Sequence, residues 1–265
     1  YHLMRKTNFN NIVMTFILNL IPRKYLIRIS IFLRPLLKIY YKGSKFIDPI
    51  DNSKYRKFLP YGYGKKIRKN ALCPGTLSLE RHRLLWLFLK RKTTFLNDKL
   101  KVLHFAPEQP FYKKFKSINN WNYITSDLNS PIADVKADIC DLPFKKLEFD
   151  LIICNHVLEH INEDLKAMKE IYRVLKKGGV GILQVPIDEN SSKTFEDKTI
   201  TDPKKKSELF GQYDHVRKYG TDYYDKLKSV GFKVKKIEMQ KKLSEEEIKK
   251  YCLPLYEKIP FVIKN

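Results

Sequence analysis

The sequence predicts an α/β protein with a mostly parallel sheet flanked by helices. Three apolar runs have the length and composition of buried strands, namely KVLHF at 101–105, NYITSD at 122–127 and FDLIIC at 149–154. Helical patterns separate or follow these runs, and strands that alternate with helices form parallel sheets. Ligands bind at the carboxyl ends of such strands, so we expect the functional site where the three runs end.

The length and charge of the chain indicate its general class. Its 265 residues can bury one full α/β core with about a hundred residues to spare. The formal net charge is +23, and it is uneven, because residues 1–95 hold 21 Lys and Arg but only three acidic residues. A basic surface attracts phospholipid, nucleic acid or a phosphorylated substrate, or it serves solubility alone. Four cysteines without CxxC spacing predict a reduced, cytoplasmic protein.

The amino-terminal segment interleaves apolar and basic residues over positions 11–41. Its apolar run at 11–21 is too short to cross a bilayer, but the pattern is typical of an amphipathic helix on an anionic membrane surface. A helix that packs onto the domain or pairs two subunits is the alternative. We predict a basic extension and linker lobe over 1–77 and a second domain over 78–265. If the helix binds lipid, the protein is peripheral to the inner face of the membrane.

The remaining elements follow from hydrophobic period and from capping residues. Ser78 is a candidate N-cap for a helix that runs to about residue 92 and is apolar almost all the way round, which predicts burial against the sheet. A second helix is predicted over 162–177, where Gly178 ends it. The other predicted elements are a strand at 180–185, a polar insertion at 188–211 with a short helix at 204–210, and strands at 232–239 and 259–263.

Several motifs occur together, namely ADICDLPF at 137–144, FDLIICNHVLEHI at 149–161, IYRVLKKGGVGILQVP at 171–186 and DHVRKYG at 214–220. In this order they resemble the class I S-adenosylmethionine-dependent methyltransferases, most closely the branch that acts on small molecules. The resemblance covers roughly residues 101–235. It implies a Rossmann-like domain over 78–265 with a seven-stranded sheet, S-adenosylmethionine as the cofactor, and a methyltransferase activity on a small-molecule acceptor.

The loop after the first central strand departs from the family. Where the family has an acidic residue followed by alternating glycines, this chain has His104, Ala106 and Glu108. Three interpretations stay open: a stiffer loop that binds the cofactor, with Glu108 or Gln109 taking its ammonium group; an altered cofactor; or an inactive pocket. We favour the first, because the other motifs are intact.

Two carboxylates are assigned to the adenosine part of the cofactor. Asp127 ends the second strand about 20 residues after the loop, the spacing at which a carboxylate accepts hydrogen bonds from both ribose hydroxyls, and Leu128 lies beside it. A turn-forming Asp is the alternative. The resemblance assigns Asp138 to the adenine amino group and Ile139 to the face of the ring.

The resemblance places Asn155 and His156 beside the transferable methyl group, with Asn155 among the cofactor-binding residues. It places His215, Arg217 and Tyr219 near the acceptor, and a hydrogen-bonded hinge is the alternative for these three. If the acceptor must lose a proton, His156 and His215 are the candidate catalytic bases, because histidine titrates near neutrality.

The sequence gives no positive indication of a metal. HVLEH at 156–160 matches the HxxEH pattern of an inverted zinc protease, but its first His falls in a turn and no third ligand is apparent. Cys73 alone cannot build a structural zinc site, which needs four nitrogen or sulfur ligands. We therefore predict no metal.

Three functional hypotheses follow. The first is methyl transfer to a small, lipid- or glycan-linked acceptor at a membrane surface. The second is a non-catalytic methyltransferase fold that binds a membrane or a partner, which the missing glycines favour. The third is RNA methylation, which the charge favours, although CNHV replaces the string used by amino-group nucleic-acid methylases and no RNA-binding motif is present. Nucleic acid is therefore not expected as a partner, and the sequence assigns neither the acceptor nor the oligomeric state.

Overall fold

The computed structural model describes residues 34–62 and 67–265. Most of the predicted membrane-contacting segment 11–41 therefore lies outside the described residues. In chain order the strands are β1 (Lys42–Ile47), β2 (Lys54–Tyr55), β3 (Leu59–Tyr61), β4 (Arg68–Leu72), β5 (Leu100–Phe105), β6 (Trp121–Asp127), β7 (Val135–Lys136), β8 (Phe149–Asn155), β9 (Leu175–Gln184), β10 (Phe195–Glu196), β11 (Arg217–Lys218), β12 (Phe232–Ile237) and β13 (Ile259–Lys264). The α-helices are α1 (Glu80–Lys92), α2 (Gln109–Lys116), α3 (Asp164–Val174), α4 (Pro203–Phe210), α5 (Tyr223–Ser229) and α6 (Glu245–Lys250); residues 34–40 are also helical, and 3₁₀ turns cover Leu158–His160 and Met239–Lys242.

Seven strands form the main sheet in the order β12-β13-β9-β8-β5-β6-β7. β13 is antiparallel to both of its neighbours, and the other pairs are parallel. This confirms the predicted seven-stranded, mostly parallel sheet with flanking helices. The central strands are buried on both faces, which explains why they read as continuous apolar runs in the sequence.

Helices cover both faces of the sheet. On one face α3 and α5 pack through Met168, Ile171 and Leu227. On the other face α1 and α2 pack through residues such as Trp86 and Phe115, whose rings stack with centroids 6.4 Å apart. The predicted burial of the helix after Ser78 is confirmed, because its residues 82–89 are all buried.

The predicted cap of α1 was wrong. The N-cap residue is Leu79, not Ser78. The Ser78 hydroxyl instead donates to the Asp48 carboxylate at 2.7 Å, and the Leu79 amide is satisfied by Nδ1 of His82 at 2.9 Å. The Ser78 side chain, which the local sequence predicts as the helix cap, is therefore engaged in a tertiary hydrogen bond.

The described part of the amino-terminal lobe contains two small antiparallel sheets, β1-β2 and β3-β4. The Asp48 carboxylate accepts hydrogen bonds from the Ile50 amide and from the hydroxyl groups of Thr76 and Ser78. These bonds tie the turn after β1 to the turn that precedes α1. Cys73 is buried beside them.

Arg83 connects this lobe to the carboxyl-terminal region. Its fully buried guanidinium donates to the carbonyl oxygens of Ala71 and Ser78 at 3.0 and 2.8 Å, and to those of Tyr251 and Cys252 at 2.7 and 2.8 Å. Four carbonyl oxygens therefore share one buried cation, so Arg83 has a structural role.

Helix α3 ends three residues before the predicted end at 177. Leu175 already pairs with Phe149 of β8, and the register then shifts so that Leu151 pairs with Val180. Leu175 is fully buried, and strand pairing has therefore overridden the helical period there. The polar insertion at 188–211 contains β10, which pairs with β11, and the helix α4, whose N-cap Asp202 accepts from the Lys205 amide at 2.8 Å.

Within the described ranges, no helix is long and apolar enough to cross a bilayer. The helical residues 34–40 nevertheless expose three large side chains: Leu36, Ile39 and Tyr40 are 60%, 74% and 66% exposed.

Candidate active site

The parallel strands β5, β8 and β9 end side by side at one edge of the sheet. Asn155, the last residue of β8, pairs with Gln184, the last residue of β9, and Cys154 pairs with Phe105 at the end of β5. Asn155 and Gln184 are polar but almost completely buried. This is the edge where the sequence placed the functional site.

Four polar side chains from three elements meet at this edge. Glu108, the N-cap residue of α2, contacts Nε2 of His82 at 2.6 Å, the Arg81 guanidinium at 3.4 Å and the Asn155 amide nitrogen at 3.0 Å. Arg81 and His82 come from the first turn of α1. The sequence singled out Glu108, but not its contacts with these two residues.

The protonation states of this cluster follow from its hydrogen bonds. Nδ1 of His82 accepts the Leu79 amide, so the proton of the neutral ring lies on Nε2 and is donated to Glu108. Burial lowers the pKa of His82, which agrees with the neutral form. Burial opposes ionisation of Glu108, but His82, Arg81 and Asn155 outweigh it and hold the pKa of Glu108 well below its usual range. Glu108 is therefore a carboxylate that already has three partners.

The loop after β5 keeps a glycine-like backbone without a glycine. Ala106 has φ of +46°, and its amide donates to the Ser126 carbonyl at 2.9 Å. A left-handed conformation costs an L-residue roughly 1–2 kcal/mol, which explains why glycine is common at such positions. Ala106 therefore adopts a turn conformation that favours glycine, at some cost in strain.

The segments that carry Asp127 and Asp138 lie next to each other, although eleven positions separate the two residues. The β6-β7 pairing brings the two segments together, and the Ala137 amide donates to the Asp127 carbonyl at 3.2 Å. Oδ1 of Asp127 accepts the amides of Asn129 and Ser130 at 2.7 and 2.6 Å. Asp127 therefore has the turn-forming role considered for it. Both of these turn hydrogen bonds go to Oδ1.

The other residues that the resemblance assigns to the cofactor differ in their exposure to solvent. Leu128 is exposed beside Asp127, whereas Ile139 is buried in the core next to the exposed Asp138. His104 is fully buried, and its Nδ1 contacts the Tyr123 hydroxyl at 2.7 Å, because this position of β5 faces α2. Burial lowers the pKa of His104 to about 4.

His156 occupies the turn that leaves β8. Its φ is +54°, and its amide donates to the Gln184 carbonyl at 2.8 Å, which fixes the turn against the end of β9. Nδ1 lies 3.1 Å from Oε1 of the buried Glu159, while Nε2 is buried with no hydrogen-bond partner among the described residues. The carboxylate acceptor places the proton on Nδ1 and leaves Nε2 as a base.

Two polar residues at this edge were missed by the sequence reasoning. The amide nitrogen of Gln184 donates to Glu257 at 3.3 Å, and Glu257 lies within electrostatic reach of His156 and Arg81. Burial raises the pKa of Glu257, the opposite direction to Glu108. Glu257 lies in the loop before β13, where no motif marks it.

The polar groups of Arg217 and Tyr219 form hydrogen bonds within the protein. The fully buried Arg217 guanidinium donates to the carbonyl oxygens of Leu158, Ile161 and Asn162 and contacts Glu196 at 3.0 Å. The Tyr219 hydroxyl lies 2.8 Å from the Asp164 carboxylate. These contacts correspond to the hinge alternative and fasten the turn after β8 to the strand β11.

His215 lies beside that same turn. It is 8% exposed, and its ring centre is 4.7 Å from the ring centre of His160. Glu159, His160 and His215 each offer one potential metal ligand, and these atoms all lie within 4.8 Å of one another. This group includes Glu159 and His160 of HVLEH and the distant His215, but not His156, the first residue of the motif.

A shallow surface cleft lies at the opposite, amino-terminal edge of the sheet. Its lining includes Lys101, Asn120, Asn122 and Lys176. Parallel sheets bind their ligands at the carboxyl ends of the strands, so this cleft is not the candidate site.

The described residues fit an adenosyl cofactor. The two carboxylates Asp127 and Asp138 adjoin the buried Ile139, and the side-chain oxygen of Asn155 is a buried acceptor without a partner in the described chain. Asp127 would hold the ribose hydroxyls, Asp138 the adenine amino group, and Asn155 a donor of the amino-acid part.

The comparisons with known proteins agree with this fold. The family model for a methyltransferase domain matches residues 113–183. An uncharacterized protein of Methanocaldococcus jannaschii is 37% identical over 93 residues, which are 35% of this chain and 42% of that protein. The chloroplastic 2-phytyl-1,4-beta-naphthoquinone methyltransferase of Arabidopsis thaliana is 42% identical over 62 residues, which are 23% of this chain and 24% of that enzyme. Each match thus spans less than half of the relative.

Among solved structures, the [4+2]-cyclase SpnF has the same fold, with a TM-score of 0.50 and 15% identity over 82% of this chain and 91% of that one. Residues 113–183 are thus similar to a methyltransferase domain, and the seven-stranded sheet is the Rossmann-like fold of such domains.

Proposed function

We propose that this protein transfers a methyl group from S-adenosylmethionine to a small-molecule acceptor at the carboxyl edge of the sheet. The observation that carries the proposal is the convergence of Asp127, Asp138 and Asn155 beside His156 within a methyltransferase domain. Asp127 and Asn155 end the strands β6 and β8, Asp138 lies two residues after β7, and His156 directly follows Asn155, so the parallel sheet brings these segments to one edge.

The cofactor supplies an activated methyl group whose departure needs no protonation. Catalysis then depends mostly on holding the acceptor in line in a dry site. His156 has its proton fixed on Nδ1 by Glu159, so its Nε2 can take a proton from an acceptor hydroxyl or acidic carbon. His215, the second candidate base, lies beside the same Glu159.

The proposed acceptor is a lipid- or glycan-linked small molecule. The plant relative is by its name a naphthoquinone methyltransferase, and this supports an apolar ring acceptor. The exposed Leu36, Ile39 and Tyr40, next to a strongly basic segment, support approach to an anionic membrane surface. Binding to vesicles with and without anionic phospholipid tests this part separately, and equal binding to both would contradict it.

The other two hypotheses gain no specific support. Neither the relatives nor the solved structure named above points to RNA as an acceptor. The non-catalytic reading rests on the absent glycines, and against it Ala106 has the left-handed backbone that glycine usually supplies.

Calorimetric titration with S-adenosylhomocysteine tests the cofactor site. The sharpest variant is Asp127→Asn, because an amide oxygen can still accept the Asn129 and Ser130 amides while the second acceptor oxygen is lost. We expect binding to weaken about 10- to 100-fold, the effect of losing a hydrogen bond to a charged group. The matched control is Asp141→Asn, which changes an exposed turn residue of the same motif region.

Two outcomes would contradict the proposal. Either the folded wild-type protein fails to bind S-adenosylhomocysteine, or Asp127→Asn and Asp141→Asn bind it equally well.

A further inference from the structure

Three side chains from two distant parts of the chain meet beside the turn after β8. Glu159 and His160 belong to the turn Leu158–His160, and His215 comes from the segment before β11. One potential ligand atom of each lies within 4.8 Å of the other two. We propose that Glu159, His160 and His215 bind a divalent transition-metal ion.

The hydrogen bonds of His160 and His215 leave one ring nitrogen of each free to bind a metal. Nδ1 of His215 lies 3.1 Å from the Phe210 carbonyl oxygen, and Nδ1 of His160 lies 3.3 Å from the Asp214 carbonyl oxygen. A carbonyl oxygen only accepts, so each Nδ1 carries the proton and each Nε2 keeps its lone pair. Histidines that bind metals are held in this way, with the other ring nitrogen donating to a carbonyl or carboxylate.

Glu159 has a buried oxygen that needs a partner. The residue is 1% exposed, and one carboxylate oxygen receives the contact from His156. The other oxygen, Oε2, is buried without a hydrogen-bond partner in the described residues. A buried polar atom left unpaired is costly, and a cation held with the two imidazoles would satisfy it.

The backbone around the three residues is fixed independently of any ion. The Val216 amide donates to the Glu159 carbonyl at 3.0 Å, so the two segments touch directly beside the ligands. Arg217 then fastens the turn through its bonds to the carbonyl oxygens of Leu158 and Asn162, both 3.0 Å long. Metal bonds to nitrogen and oxygen are about 2.0–2.2 Å long, so small side-chain rotations would bring the three atoms around one ion.

The ligand types select the class of metal. Two neutral imidazoles and one carboxylate suit zinc, manganese, iron or cobalt, whereas magnesium and calcium prefer oxygen ligands alone. The His160 side chain is 28% exposed, which gives an ion a path from solvent. Three protein ligands with an open position resemble catalytic zinc sites more than closed structural ones. The site does not depend on the proposed methyl transfer.

Metal binding to the full chain, purified without a histidine tag and freed of metal by chelation, tests the proposal. Cobalt(II) gives a visible absorption band and zinc(II) is followed by calorimetry, with bound metal counted by elemental analysis. We expect one ion per chain, unaffected by excess magnesium. His160→Ala and His215→Ala should each weaken binding more than about tenfold.

His82→Gln is the matched control, because His82 is also a buried histidine that contacts a carboxylate, but no third ligand among residues 34–62 and 67–265 joins it. It should bind metal as the wild type does. His160→Ala changes the most exposed of the three ligands, so it keeps the test valid if His215→Ala fails to fold. Absence of zinc and cobalt binding below about 1 mM, or binding that survives both ligand variants, would overturn the proposal.

Discussion

Nε2 of His82 lies 2.6 Å from Oε1 of Glu108, and this pair joins helix α1 to the start of α2 beneath the candidate active site. His82 is neutral and donates, while Glu108 is ionised and accepts. A buried carboxylate is thereby held in place by one ring, one guanidinium and one amide.

The variant Glu108→Gln should lower the free energy of unfolding by about 2 kcal/mol, because it removes a charged acceptor and leaves Arg81 without its ion pair. Urea denaturation measures the change. Glu245→Gln alters an exposed pair with Lys249 and should leave the unfolding midpoint where it is. Equal midpoints for the two variants would show that Glu108 does not organise the cluster.

Acid should destabilise the protein through His104. Its folded pKa of about 4 lies below the unfolded value of about 6.5, so between these pH values the unfolded state binds more protons. Stability therefore falls as pH drops from about 6.5 to about 4, by about 3 kcal/mol for this residue. His104→Gln should flatten the dependence in that window, measured by urea denaturation at several pH values. Parallel pH profiles for the two proteins would contradict this assignment.

Position 106 should tolerate glycine and reject a β-branched residue. Ala106→Gly removes the left-handed strain, and its entropic cost of about 0.5–1 kcal/mol keeps the net change small. Ala106→Val should cost about 2 kcal/mol or more and weaken binding of S-adenosylhomocysteine, because a β-branched side chain is poorly accommodated at positive φ. Thermal denaturation compares the two. If Ala106→Val melts like the wild type, the backbone there is not constrained.

Arg217 should matter for folding far more than its neighbour. Arg217→Met leaves buried carbonyl oxygens and Glu196 without their cation, and we expect a loss of about 3–5 kcal/mol. Lys218→Met changes the next, outward residue of β11, whose side chain is 43% exposed, and should cost well under 1 kcal/mol. Chemical denaturation of both variants measures their free energies of unfolding. An equal loss in Arg217→Met and Lys218→Met would refute the prediction.

The sheet could be predicted because its strands are buried on both faces. The runs at 101–105, 122–127 and 149–154 lie within one or two residues of β5, β6 and β8. The small sheets of the amino-terminal lobe were predicted only as part of a linker lobe, because strands of two to six residues with few buried positions leave no hydrophobic period to read.

The candidate site could be predicted only in part. Residues that end strands, such as Asp127 and Asn155, are visible in a sequence because a parallel sheet gathers strand ends. The contacts of His82 with Glu108 and of His160 with His215 are not visible, because they depend on how helices and loops pack on that sheet. Glu257 follows no motif and precedes the last strand, so nothing local marks it.

The four carbonyl bonds of Arg83 have a consequence for synthesis of the chain. Two of its acceptors, Tyr251 and Cys252, are made about 170 residues after Arg83 itself. Translation proceeds at roughly 5–20 residues per second. Until Tyr251 and Cys252 have been made, the Arg83 guanidinium of helix α1 therefore lacks two of its four carbonyl acceptors. The amino-terminal lobe should consequently reach its final packing only after release of the carboxyl-terminal residues from the ribosome, which couples the two ends of the chain in time as well as in space.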